Sequence, residues 1–322
     1  TGAAMNYLIT GAAGFVGRYL IAEIKREQPE AFIYATDIVD EPAWMQGYSN
    51  LDYVSINLLD HSAVDTLVNK LTLQRIIHLA SFSSVAYSWD HPADSFLNNS
   101  LIFINLIEAL RKTSSPFALL SIGSSEEYGN VPETDIPLTE NHSLNATSPY
   151  AAARISQEML SRVFAQGYGM NIMMTRSFNQ MGPFQRDTFV VPSLIKQFVA
   201  ANKSGRKSVE LQVGDIDVAR DFTDVRDVVR AYLAILEYGK AGEVYNVCSG
   251  KGVLIRSLIQ NISDIMGMSY TIHKDETRVR PTENRVVIGN NKKIMQQCRW
   301  SPKIDINTTL VDTISFWQDS IK

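Results

Sequence analysis

The sequence has two cysteines, Cys248 and Cys298, in 322 residues. Two thiols cannot staple a chain of this size, which excludes a disulfide framework and fits a reducing cytosol as the expected compartment. Histidine is scarce as well, five in all. The five are scattered, and no His/Cys/Asp cluster has metal-ligand spacing, so no metal site is expected. Neither sign of charge is in large excess, with 30 Lys and Arg against 34 Asp and Glu and a net charge of −4. That excludes a global basic field of the kind that gathers nucleic acid. No apolar run reaches the roughly 18 to 20 residues of a membrane span. No basic-then-apolar stretch opens the chain as a signal peptide, and Thr1-Gly2-Ala3-Ala4 ahead of Met5 reads as a cloning remnant. Internal repeats, low-complexity tracts and flexible linkers are missing too. What is present, 45% hydrophobic and 20% charged residues, is the composition of an ordinary globular protein.

Strand and helix patterns alternate through the first half. Asn6 to Thr10, Ala31 to Thr36, Tyr53 to Ile56, Arg75 to Ala80, Phe117 to Ile122 and Ile172 to Arg176 read as strands. Phe15 to Arg26, His61 to Leu71, Phe96 to Lys112 and Pro149 to Gln166 read as helices. Continuously apolar strands joined by helices predict a doubly wound α/β fold, a parallel sheet of Rossmann type covered on both faces. Beyond about Phe178 loop-like segments, Gln180 to Asp187, Asn202 to Ser208, Val213 to Phe222 and Lys274 to Asn284, interrupt shorter elements, which predicts a smaller C-terminal substrate lobe. The expected division is 5–178 for the dinucleotide-binding domain and 179–322 mainly for the lobe, with some segments returning to the first domain. His78, within a buried strand, reads as a satisfied core residue, and Trp317 as part of a packing helix.

Three features carry chemistry. Gly11-Ala12-Ala13-Gly14-Phe15-Val16-Gly17 follows a strand and opens a helix. In that context Gly11 permits the tight turn, Gly14 lets backbone approach a pyrophosphate, Gly17 lets helix and strand pack closely, and the helix N-terminus offers unpaired N–H groups. A plain strand–helix turn is the competing explanation. Asp37 ends the next strand, 20 residues past Gly17. A carboxylate there suits the adenosine ribose hydroxyls and repels a 2′-phosphate, so NAD(H) is favoured and NADP(H) remains possible. Ile38 and Val39 follow it rather than Arg. Finally, Ser124 follows a buried strand at its carboxyl end, where such sheets present chemistry. In Ser148-Pro149-Tyr150-Ala151-Ala152-Ala153-Arg154, a Ser N-cap and a Pro in the first turn open a helix. Tyr150 and Arg154 then share one face, four residues apart. A guanidinium beside a phenol favours the phenolate, and such a phenol exchanges a proton with an alcohol–ketone pair. A surface Tyr–Arg pair is the alternative.

The glycine loop, His78-Leu79-Ala80-Ser81, Ser124-Ser125-Glu126-Glu127-Tyr128-Gly129 and the Tyr150/Arg154 helix resemble the extended short-chain dehydrogenase/reductases. Three further segments resemble, within that group, the GDP-4-keto-6-deoxy-D-mannose reductases. They are Arg176 to Pro183, Val213 to Asp227 and Val244 to Gly250. The resemblance implies that Ser124 binds the sugar's 4-oxygen and that Tyr150 donates the proton. Arg154 stands where the family has Lys, keeping the charge but with a planar, forked geometry. On the cofactor it implies Gly11, Gly14, Phe15, Val16, Gly17, Asp37, Ile38, Asn57, Leu58, Leu79, Ala80, Ser81, Asn99, Tyr150, Arg154 and Phe178. Asn57 there replaces a family Asp. On a GDP-sugar it implies Ser84, Ser124, Ser125, Glu126, Asn179, Phe189, Val190, Lys196, Arg220, Arg280 and Glu283. The arginines would grip the diphosphate, and Glu283 the ribose. Family members pair two long helices into a homodimer, here those near 96–112 and 150–166.

The expected reaction is hydride reduction of a 4-keto GDP-sugar to GDP-6-deoxy-D-mannose. A dehydratase is the first alternative, because Glu126 matches the carboxylate that takes the carbon-5 proton in such enzymes. Against it stand Asp37, where GDP-mannose dehydratases prefer NADP, and the reductase-like segments. A 4-epimerase shares the same site. A non-catalytic nucleotide-binding protein would rest on Arg154 alone. No membrane or nucleic-acid partner is expected.

Overall fold

A computed structural model describes residues 4–279 and 284–321. The first half runs β1 (Asn6–Thr10), α1 (Phe15–Glu27), β2 (Phe32–Asp37), β3 (Leu51–Ser55), α2 (His61–Asn69), β4 (Arg75–His78), α3 (Val85–Asp90), α4 (Pro92–Phe96), α5 (Ile102–Arg111), β5 (Ala118–Ser121), α6 (Pro149–Tyr168) and β6 (Ile172–Ser177). The second half runs β7 (Asn179–Met181), α7 (Val190–Lys203), β8 (Ser208–Val213), β9 (Ala219–Asp224), α8 (Val225–Tyr238), β10 (Val244–Val247), β11 (Gly252–Leu254), α9 (Ile255–Met266), β12 (Ser269–Lys274), β13 (Val286–Val287), α10 (Lys292–Cys298) and α11 (Ile306–Ser320).

Seven parallel strands form the main sheet in the order β10-β6-β5-β4-β1-β2-β3. Its central strands are apolar because helices cover both faces, and β5 and β6 are buried at every position. Strand order reverses between β1 and β4, so the carboxyl ends of those strands flank the crevice where doubly wound sheets bind ligands. One core packs α1, α8 and α10 on one face, with Leu20, Ile24, Tyr232, Ile235 and Ile294 fully buried. The other face buries Val68, Phe103, Leu106 and Leu110 beneath α2 and α5. A separate core joins α7, α9 and α11 through Phe198, Ile195, Leu258, Ile259 and Leu310. The chain beyond residue 178 thus supplies both the smaller lobe and α8, β10 and α10 of the larger one.

Two local departures from the sequence reading have physical causes. The helix expected from Phe96 starts at Pro92 and passes through a π-helical turn at Leu97–Leu101 before α5. Asn99 and Ser100 in that turn are buried, and Ser100 donates to the Ala153 carbonyl at 3.1 Å. The segment from Val213 to Phe222 reads as loop, yet Ala219–Asp224 is the strand at the centre of the small sheet. Its two aspartates are internal fasteners, Asp224 accepting from Thr309 of α11 at 2.6 Å. The buried Asp221 carboxylate accepts N–H groups from Ser249, Gly250 and Gly289 at 2.8 to 3.1 Å.

An ion pair lies between α6 and β6. Arg176 donates to both oxygens of Glu158 at 2.9 and 2.8 Å, with the side chains 2% and 3% exposed. Arg162 adds a bond of 2.8 Å from the rim. Burial pushes the Glu158 carboxyl up, but the two arginines outweigh it and hold the group below the usual glutamate range. Its contribution is therefore present above the ordinary glutamate pKa and is lost as pH falls through the folded-state value. Glu158→Gln leaves a buried guanidinium without its carboxylate, and should cost about 3 kcal/mol in urea unfolding at pH 7. The deficit should shrink as pH falls below the ordinary glutamate range, and unchanged stability at pH 7 would contradict this account.

Candidate active site at the sheet's carboxyl edge

The first half of the site is a cradle between β1 and β4. Gly11 has φ +65°, and a Cβ on it would sit 2.6 Å from the Ala80 nitrogen, so only glycine lets the loop lie against residues 79 and 80. Leu79 and Ala80 donate their N–H groups to the carbonyl and the hydroxyl of Thr10 at 3.1 and 3.3 Å. A Cβ on Gly14, by contrast, would meet only the Gly11 carbonyl, at 3.3 Å. The backbone is approachable there, and Gly14 caps α1 without a side chain. The first-turn N–H groups of Phe15, Val16 and Gly17 therefore have no capping side chain as partner.

Asp37 closes the cradle's far side, accepting from Ala13 at 3.1 Å and from Ile38 at 2.7 Å. Ile38 is exposed, Leu58 is buried, and Asn57 caps its own turn by accepting from Leu59 at 3.0 Å. Buried Asn99 donates to the carbonyls of Ser95 and Phe82 at 2.7 and 3.2 Å, while its Oδ1 has no partner. An open glycine cradle, an uncapped helix terminus and an orphaned amide oxygen fit a dinucleotide.

The second half is built on the segment leaving β5. Ser124 caps a 3₁₀ turn, Ser125–Tyr128, its Oγ accepting from Glu126 at 3.2 Å. Glu127 reciprocates, its Oε2 accepting from the Ser124 N–H at 3.0 Å. The segment is also bridged to β6, Ser124 to Ser177. Tyr150 sits in the first turn of α6, where Ser148 accepts from Ala151 at 3.0 Å and Pro149 follows the cap. The Arg154 guanidinium lies 5.8 Å from the centre of the Tyr150 ring. Its fork turns inward, one arm to the Ile122 carbonyl and the other to Gln157 at 3.2 Å. Gln157 in turn donates to Ser121 and Ile122 at 2.9 and 3.0 Å.

Behind this cluster the Tyr232 hydroxyl meets Ser177 at 2.7 Å, and burial pushes its pKa up to about 12. His78 contacts Thr10 at 2.7 Å, and burial, then the Arg154 charge, lower it to about 3, so it is neutral. The expectation of a satisfied core histidine holds for Nδ1 only, because the buried Nε2 has no partner.

On the side facing the smaller lobe, Phe178 is buried against Tyr128, and exposed Asn179 opens β7. Phe189 caps α7 and, with Val190, is largely exposed. Arg220 lies on β9 and donates to the Ala219 carbonyl at 2.9 Å. Two candidates are engaged locally. Ser84 caps α3 by accepting from Tyr87 at 3.1 Å, and Lys196 pairs with Asp187 at 2.6 Å. Ser81 follows the cradle, and Ser125 and Glu126 occupy the 3₁₀ turn. Arg280 and Glu283 lie outside the described residues. Among those described, no group of three His, Cys, Asp or Glu could hold a metal, and no helix is long and apolar enough to cross a membrane. Sequence reasoning did not single out Glu127 or Gln157 as site residues. The Ser-x-x-Glu spacing of a capping box was the available signal for the first.

Comparison with known proteins agrees with this geometry. Residues 8–313 match the family model described as GDP-mannose 4,6 dehydratase. GDP-6-deoxy-D-mannose reductase of Pseudomonas aeruginosa is 34% identical over 315 residues, 98% of this chain and 97% of that one. The solved structure of RMD from Pseudomonas aeruginosa complexed with NADPH superposes with a TM-score of 0.84 at 32% identity, covering 99% and 100% of the two chains. UDP-glucose 4-epimerase of Thermotoga maritima, solved with UDP-glucose, gives 0.88 at 26% identity with the same coverage. Relatives of this kind are nucleotide-sugar oxidoreductases, dehydratases and epimerases that use a nicotinamide cofactor. The chain belongs to the GDP-mannose 4,6-dehydratase-like family of extended short-chain dehydrogenase/reductases.

Proposed function

We propose that this protein reduces the 4-keto group of GDP-4-keto-6-deoxy-D-mannose, giving GDP-6-deoxy-D-mannose. The observation that carries the reading is the end-to-end match to a reductase of that product, 34% identical over 98% of this chain. The bound nicotinamide would supply the hydride. The glycine cradle with Phe15, Val16, Leu79, Ala80 and Ser81 would hold its pyrophosphate. Ile38, Asn57 and Leu58 would surround the adenine, and Asn99 and Phe178 the nicotinamide side.

Ser124 Oγ already accepts the Glu126 N–H, which leaves its own proton to donate to the sugar's 4-oxygen. Tyr150 would give the proton that completes the hydroxyl, with the Arg154 charge beside its ring. Arg220 and Arg280 would take the diphosphate as forked donors, and Glu283 the ribose. Asn179, Phe189, Val190, Ser84, Ser125 and Lys196 would line the sugar-nucleotide path. The second reading, a dehydratase, is favoured by Glu126, held in the turn two residues beyond Ser124.

Substrate-dependent loss of reduced-nicotinamide absorbance with the 4-keto sugar is the expected result. Tyr150→Phe should reduce kcat by at least about 100-fold while leaving NADH binding intact. Glu126→Gln should keep most of this activity. Cofactor-independent conversion of GDP-mannose to a keto sugar, abolished by Glu126→Gln, would replace the reductase by the dehydratase.

NADH is the proposed reductant. Burial first, and then the charges of Asp37, Asp40 and Glu41, push the Tyr53 phenol up to about 12, so three carboxylates gather at this edge. A 2′-phosphate would enter this acidic rim at a cost. The Pseudomonas relative was solved with NADPH, so the two proteins would differ here. NADH should show a KM at least about tenfold below that of NADPH, and Asp37→Ser should narrow the gap. Equal KM values in the unmodified protein would exclude this role for Asp37.

A homodimer is proposed through the outer faces of the helical stretch 92–111 and α6. Leu97, Leu101, Met159 and Val163 leave them apolar and exposed. Sedimentation should give twice the monomer mass, and Val163→Glu should give monomers. A monomeric wild-type protein would refute the pairing.

A further inference from the structure

We infer that Glu127 is the positioning residue for the Ser124 hydroxyl, its buried carboxyl holding the Ser124 N–H so that Oγ faces the substrate oxygen. The inference rests on the reading that Ser124 meets that oxygen.

A capping box closes equally well with an exposed glutamate. Here the side chain is 0% exposed, although burying a carboxyl is costly. Space for it is provided at position 123. A Cβ on Gly123 would lie 2.8 Å from Glu127 Oε2 and 2.3 Å from the Thr175 carbonyl. The turn is closed reciprocally, Glu127 N to the Ser124 carbonyl at 3.1 Å and Glu127 Oε2 to the Ser124 N–H at 3.0 Å. The other oxygen, Oε1, is buried without a partner. The carboxyl therefore directs its one strong contact at the residue whose hydroxyl must be aimed.

The charged groups acting on Glu127 are Glu158 and Arg154 from α6 and Arg176 from β6. Burial, then the Glu158 charge, raise the group to about 8 against the pull of both arginines. Glu158, bonded to two arginines, keeps its charge, and Glu127 keeps its proton at neutral pH. Above pH 8 an ionised carboxyl appears beside Glu158 with one oxygen unpaired, and the turn beneath Ser124 must shift or admit water. kcat should fall along that limb.

The test compares Ser124→Ala, Glu127→Leu, Glu127→Gln and the double variant Ser124→Ala/Glu127→Leu. The readouts are kcat, sugar KM, NADH binding by fluorescence, and hydrogen exchange of the Ser124 amide. Glu127→Leu should lower kcat about 30-fold with KM and NADH affinity within about threefold, and the double variant should be no slower than Ser124→Ala. Glu127→Gln, whose amide oxygen still accepts the Ser124 N–H, should remain within about fivefold of wild type and lose the alkaline limb. A Glu127→Leu enzyme with wild-type kcat, or a Glu127→Gln enzyme that retains the limb, would overturn the inference. So would multiplicative losses in the double variant. If Glu127→Leu does not fold, the pH profile of Glu127→Gln decides. If wild-type protein turns over neither the keto sugar nor GDP-mannose, the functional reading alone fails. Protection of the Ser124 amide, kept in Glu127→Gln and lost in Glu127→Leu, then settles the role of Glu127.

Discussion

The candidate site depends on three backbone positions, Ile122, Gly123 and Ser124, which join β5 to the 3₁₀ turn Ser125–Tyr128. The ladder to β6 ends here with the Ser177 N–H on the Gly123 carbonyl at 3.2 Å, so the remaining polar groups must find other partners. Buried side chains supply them. Arg154 and Gln157 bind the Ile122 carbonyl from α6, Thr175 accepts the Gly123 N–H from β6, and Glu127 accepts that of Ser124. One hydroxyl is thereby fixed relative to the first turn of α6, which carries Tyr150. The proposed reduction would require such precise placement of Tyr150 and Ser124.

The two lobes meet on the same edge. Immediately after β7 the chain crosses α1, the helix that follows the glycine loop. Tyr19 donates to the Pro183 carbonyl at 3.0 Å, and the Arg18 guanidinium lies 3.5 Å over the Phe184 ring. Phe184 takes a positive φ of 74° to reach this position, and its ring also packs on Phe316 of α11 at 4.5 Å. Non-glycine residues persist in that conformation only where the surroundings enforce it. Here the enforcement ties the cofactor cradle, the segment after β7 and the final helix together.

Much of this was legible in the sequence because it rests on local rules. Gly11 to Gly17 between a strand and a helix, Ser148-Pro149 at a helix start and the continuously apolar strands each state their structure within a few residues. The π-helical turn around Asn99 was not legible, since it follows from packing against α6 and not from any change in periodicity. β9 was hidden for a related reason. Its Arg and Asp residues look like loop chemistry until distant Ser249, Gly250 and Gly289 are seen to need the Asp221 carboxylate. Glu127 sat in a readable motif, but nothing local says that the motif is buried.

Arg154 shows how the same low-dielectric setting shapes the choice of cation. Its side chain is 4% exposed, and its fork binds a carbonyl and an amide oxygen. A guanidinium can meet both oxygens at once because its donors form a planar fork, whereas a compact ammonium presents no such fixed pair. Arg176 and the rim residue Arg162 pair with Glu158, while the two oxygens that Arg154 binds are neutral. In the proposed reduction the Arg154 charge would favour the negative charge growing on the carbonyl oxygen, through a medium that screens it weakly. The planar cation thus gives up the free contacts of a compact ammonium and gains two fixed ones.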